Sequence, residues 1–310
     1  MSGILTGFAI IGVVVAAGYV CARLRIGGAG AQEALNRIAF FVAIPALLFT
    51  VIADADLHAL LSAPLLVQAS AAVLAAALFL LVHAVRLHLT ASEATVGAVA
   101  SGYVNANNIG LPLAAYVLGD PTVVVPVILL QLLVLAPITL TLLDAQTSGR
   151  VSPRSALWFV LQQPLRNPII LASVAGAVVS GFGWGVPDVV RQPLVILGGA
   201  AIPMMLMAFG MSLHGSRPLR AGSSRLAAAT SAAVKGVVMP VLAYLLARYA
   251  FRLDDDAVLA SVLLAGLPTA QNVYNYAARY RRGEVLARDT ILVTTLTSPA
   301  TLLLAAAILG

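Results

Sequence analysis

The run from Ser101 to Leu113, SGYVNANNIGLPL, sets Asn105, Asn107 and Asn108 beside Gly110 and Pro112 within an otherwise apolar stretch. A second run, AGLPTAQNVYN from Ala265 to Asn275, repeats the theme with Gly266, Pro268, Thr269, Gln271 and Asn272. Proline has no backbone donor and its ring obstructs the preceding turn, so carbonyls near Pro112 and Pro268 lose partners. Such groups are expensive in lipid, which places both stretches against protein or a watery cavity. Half-helices that begin at such breaks present free N–H groups and the positive end of a dipole. That chemistry suits an anion, above all a carboxylate. The amides of Asn105, Asn108, Gln271 and Asn272 can donate to an anion or accept from a neutral acid or a cation. The same amides have a structural role open to them, holding helices together and re-satisfying the opened backbone. A matching run in each half of the chain favours the binding role.

Lys235, the one lysine of the chain, lies inside the apolar run 226–250. An ammonium there must snorkel, pair or shed its proton. Two roles stand open: charge balance or proton coupling for a transported anion, or a long stem reaching a cavity or headgroup. His58, His83, His88 and His214 show no zinc spacing. Cys21 is single, so it supplies neither an internal disulfide nor a metal quartet. No phosphate loop, nucleophile elbow or HExxH element is present. The expectation is therefore no metal, no cofactor and no enzymatic activity.

Elements able to hold these residues follow from composition. Of 310 residues 61% are hydrophobic and 10% charged, with a mean hydropathy of +0.99. A soluble chain carries about 25% charged residues, so lipid must face the outside of this one. Apolar runs divide the chain at approximately 3–22, 36–53, 63–84, 93–117, 122–144, 164–182, 192–213, 226–250, 257–279 and 289–309. Each is long enough, or nearly so, to cross a hydrocarbon core of about 30 Å. The first run has no basic n-region before it, so no cleavable signal is expected. An all-α integral membrane protein of about ten transmembrane helices is the expected fold class.

The net charge of +6 forms no continuous basic face, which argues against nucleic acid as a partner. Apart from Lys235, Arg191, Arg248 and Arg252, every basic residue falls in alternate gaps between runs, starting with the first. Basic residues are retained on the cytoplasmic side, so both termini are expected outside the plasma membrane. Pro45 and Pro203 lie in the second and seventh runs, and Pro112 and Pro268 in the fourth and ninth, at nearly equal separations. These prolines are the candidate helix breaks or hinges. Five spans per half is an odd number, so residues 1–150 and 151–310 would form inverted repeats.

These residues resemble the auxin efflux carrier family, which includes bacterial members and plant PIN-type carriers. The resemblance rests on NANNIGLPL from Asn105 to Leu113, AAYVLGD from Ala114 to Asp120, IPMMLMAFGMSL from Ile202 to Leu213 and LPTAQNVYNYAARY from Leu267 to Tyr280. Asn167-Pro168 and the stretch Lys235 to Pro240 add to it. It implies two inverted five-helix repeats, with the fourth and ninth helices broken and crossing at the substrate site. It also implies a scaffold and a mobile transport unit, elevator-like movement and a homodimer. Carried over by position, Asn105 touches the substrate, a small organic anion, and Pro112 and Pro268 mark the crossover. Asn107 stands where the family often has Gly, adding an amide beside the break. Coupling by proton, sodium or membrane potential is left open. Two rival readings are a sodium-coupled symporter of the bile acid carrier type and a membrane sensor that binds the ligand without moving it.

Overall fold

The computed structural model describes residues 2–28, 30–54, 63–148, 167–215 and 225–310. The expected repeat boundary at 150/151 lies outside the described residues, as do Arg150, Arg154, Arg166, Arg217, Arg220, Asp56 and His58. Among the described residues the secondary structure is helical, with one isolated β-bridge and no strand.

Among the described residues seven helices are long and apolar enough to cross a membrane. They are α1 (Ser2–Arg23), α2 (Ala31–Ala53), α3 (Ala63–Leu87), α6 (Pro121–Thr147), α8 (Asp188–Leu213), α9 (Arg225–Ala250) and α12 (Glu284–Leu309). A shorter apolar helix, α7, covers Pro168–Gly181. The two amide-bearing runs each contain a pair of helices: α4 (Ala91–Gly102) with α5 (106–118), and α10 (Asp255–Ala265) with α11 (Gln271–Tyr280). Val13, Phe41, Leu81, Ile196 and Ile308 stand exposed on these helices. Apolar surface of this extent is a face for lipid rather than water.

Helix starts follow local chemistry. Thr90 and Glu93 form a reciprocal capping box at α4, so Glu93 is a cap as well as a surface charge. Asn167 accepts from the Ile169 N–H at 3.0 Å, with Pro168 at the first helical position of α7. Asp254 caps α10 through the Ala257 N–H at 2.8 Å.

Several prolines sit inside continuing helix. Pro45, Pro112, Pro137 and Pro240 each follow a five-residue π-helical stretch, at 39–43, 106–110, 131–135 and 234–238 respectively. A wider turn moves the carbonyl that a proline ring would strike and absorbs the missing donor. Pro203 likewise lies within α8, just after a turn at Ala200. Of the four candidate hinges, only Pro268 lies in a non-helical stretch. At the first amide run the chain leaves the helix at Tyr103 to Asn105, ahead of Pro112.

Helix packing separates two groups. α1 lies along the second half of α8, while the second half of α2 packs on α7 and the first half of α8. α3, α4, α9, α10 and α12 pack among themselves, with α6 against α4 and α11 against α12. Gly18 and Gly210 allow the α1–α8 contact: a Cβ on Gly18 would meet the Met207 carbonyl, and one on Gly210 the Val15 carbonyl. Small residues of this kind let membrane helices approach backbone to backbone. Between the groups runs α5, which touches α1 and α8 on one side and α6 on the other.

Candidate functional site

The non-helical stretches between α4 and α5 and between α10 and α11 meet. Val104 and Thr269 form an antiparallel bridge. Across it the Asn105 N–H donates to the Pro268 carbonyl at 2.8 Å, and the Ala270 N–H to the Tyr103 carbonyl at 3.0 Å. Backbone groups stripped of helical partners thus satisfy one another. Gln131 completes the repair, donating from Nε2 to the Val104 carbonyl at 2.9 Å, and the Tyr103 hydroxyl donates to the Gln131 carbonyl at 3.3 Å. The Thr269 hydroxyl donates to the Ala100 carbonyl at 2.8 Å, and its N–H to Thr294 Oγ1 at 3.1 Å.

The two helices that start here differ at their first turns. Asn105 Oδ1 accepts from the Asn108 N–H at 3.2 Å and so caps α5. That leaves the Asn105 amide nitrogen as its free donor. α11 begins after Ala270, which supplies no side-chain cap, so its first-turn donors lack such a partner. Gln271 at its start is exposed.

Two cavities flank the crossing. One, of about 460 Å³, is lined by Asn105, Asn108, Gln271, Tyr274 and Arg288 among others. The other, of about 830 Å³, adds Asn107, Asn272, Asn275 and Gln131. Asn107 has a buried Oδ1 with no hydrogen-bond partner, an acceptor (or, with the amide turned, a donor) facing polar company. Lys235 lines neither cavity. It is fully buried, and Nζ donates to the Ala265 carbonyl at 2.6 Å, the last residue of α10. A cationic side chain at a helix C-terminus meets both the unpaired carbonyls and the negative dipole end.

Residues 4–305 match the membrane transport protein family, the auxin efflux carriers. The chain belongs to the auxin efflux carrier family. It is 30% identical over 290 residues to a protein of Rhizobium meliloti (strain 1021) described as "Putative malonate transporter", covering 92% of this chain and 89% of that one. It is 26% identical over 206 residues to an "Uncharacterized transporter" of Methanothermobacter thermautotrophicus, covering 65% of each. With its apolar helices, this makes it a multi-pass membrane transporter.

In this carrier the sequence-derived site residues fall into two sets. Asn105, Asn107, Asn108, Gln271 and Asn272 line the cavities. Gly110, Pro112, Gly266, Pro268 and Thr269 lie outside both linings and build the crossing. A Cβ on Gly110, for example, would stand 2.9 Å from Val124 and 3.1 Å from Leu267. Sequence reasoning missed Gln131, Tyr103, Tyr276 and Arg288. An amide in the middle of the fifth apolar run was the available signal for Gln131. Tyr103 and Tyr276, edge to face at a centroid distance of 6.1 Å, carry no signal in the sequence and are brought together by the fold. Arg288 read as one more gap arginine.

Proposed function

We propose that this chain is a secondary carrier for a small organic anion, a mono- or dicarboxylate, working by elevator-type alternating access. The uncapped start of α11, facing amides of α5 across one cavity, carries the reading. It offers backbone donors and the positive dipole end where an anion must shed water. Each interrupted pair, α4–α5 and α10–α11, then serves as one broken span, giving ten spans in two inverted five-helix repeats. The smaller cavity is lined near Gly215 and Arg288, at helix ends beside arginine-rich gaps. By the charge rule that side is cytoplasmic, so the conformation is inward-open and both termini lie outside.

The two packing groups suit the proposed division of labour, α1, α2, α7 and α8 as scaffold and the remainder as the moving unit. An inside-negative potential favours anion exit by about 2.3 kcal/mol per charge per 100 mV, so efflux needs no coupled ion. The resemblance to a protein described as a malonate transporter supports a carboxylate cargo. A homodimer, as the family resemblance implies, completes the reading.

Asn105→Ala tests it in proteoliposomes, because it removes a cavity donor as well as the α5 cap. Malonate flux is expected to vanish while the protein still extracts as a folded species. Normal flux and affinity would sink the site assignment. Flux that follows a sodium gradient would favour the symporter, and saturable binding without flux a sensor.

A further inference from the structure

We propose that Arg288 holds the second carboxylate of a dicarboxylate, and so makes the carrier prefer dicarboxylates over monocarboxylates. The inference rests on the carboxylate reading above, in which the first carboxylate docks at the open N-terminus of α11. Among the described residues Arg288 is the one charged side chain lining the cavity of about 460 Å³ that also contains Asn105, Asn108 and Gln271. Its side chain is 46% exposed, whereas the neighbouring Asp289 is 1% exposed. Nε and Nη2 of Arg288 both donate to Asp289 Oδ1, at 3.0 and 2.9 Å. Asp289 therefore grips one edge of the guanidinium. A guanidinium has five N–H donors in a fixed fork, so its other edge is left for a second carboxylate. Asp289 acts as a positioning residue, and a lysine could not be held on one edge and present the other.

Charge balance gives the selectivity. A helix N-terminus carries about half a positive charge, enough to favour one carboxylate. A dianion away from bulk water needs a second focus of charged donors, and among the described residues Arg288, part-balanced by Asp289, is the cation lining this cavity. A monocarboxylate bound at α11 makes no use of it. The amides of Asn105, Asn108 and Gln271 lie in the same cavity and can donate to either carboxylate.

The test compares malonate with propionate, which keeps three carbons and drops one carboxylate. Calorimetric titration of the purified full-length protein is run at mildly alkaline pH, where malonate is a dianion. Wild type is expected to bind malonate more tightly. In Arg288→Gln that preference should fall by about tenfold or more, the loss of a charge-assisted hydrogen-bonded pair. Because this variant strands the buried Asp289, the double variant Arg288→Gln/Asp289→Asn is measured beside it and should lose the preference equally. Arg288→Lys, which keeps a cation without the fork, should fall between. A malonate-to-propionate ratio unchanged by these variants, or a wild type without preference, overturns the role of Arg288 alone. Wild type that binds neither acid removes the carboxylate reading itself, and this inference with it.

Discussion

Asn105 shows how one residue serves the fold and lines a cavity as well. Its oxygen caps α5, its backbone N–H holds Pro268, and its remaining amide donor is free beside a cavity. Gln131 has a comparable double duty, since it lines the larger cavity and satisfies the Val104 carbonyl. Gln131→Leu would keep the volume and strand that carbonyl. A buried acceptor without a partner costs about 1–3 kcal/mol, so thermal unfolding in detergent should begin earlier than in wild type. Unchanged stability would mean that another donor replaces Nε2. Lys235 was open between a transport role and an idle stem. The structure ties its Nζ to the end of α10, a contact that no reading of hydropathy contains.

At the level of elements, the prolines and the caps divide the work. Pro45, Pro112 and Pro240 are absorbed by π-helical turns, so the helices continue past them without ending. Pro268 stands where α10 has already stopped. The deeper asymmetry is that α5 has an asparagine cap and α11 has none. Ala270, with φ −72° and ψ 144°, already has the extended backbone of a capping residue. Ala270→Ser should therefore cap α11 and stabilise the protein by about 0.5–1 kcal/mol. The hydroxyl would occupy a backbone donor that a carboxylate needs, so malonate binding should weaken as the melting temperature rises. Calorimetry and thermal unfolding of the same sample check both signs, and tighter binding would contradict the role of α11.

For the whole molecule, the telling contact is the one between packing groups. A Cβ on Gly7 of α1 would meet the Tyr116 carbonyl of α5 and lie 3.0 Å from Val117 Cγ2. Backbones this close form a bearing surface if α5 travels with its own group. Gly7→Leu inserts a wedge there, far from the amides. Flux into proteoliposomes is expected to fall about tenfold or more, because the state that contains this contact is destabilised, while malonate still stabilises the detergent-solubilised protein through the distant amides. Full flux would show that α5 does not return to this contact during transport.

Much of this was legible beforehand, for identifiable reasons. Hydropathy marks lipid-facing helices because no other surface tolerates so few charges, and arginine placement marks sides of the membrane. Asparagine, glutamine, glycine and proline in apolar runs mark where the chain turns to protein or a cavity, since lipid would penalise them. Local sequence therefore determined the membrane class, the family and the neighbourhood of the amides. It did not determine which amide oxygen would be spent on a cap, or that Gln131 would repair the crossing. Nor did it show that Lys235 would reach the end of α10 and Arg288 line a cavity. Those outcomes depend on which backbone groups two distant stretches leave unpaired when they meet, and only the tertiary structure decides that.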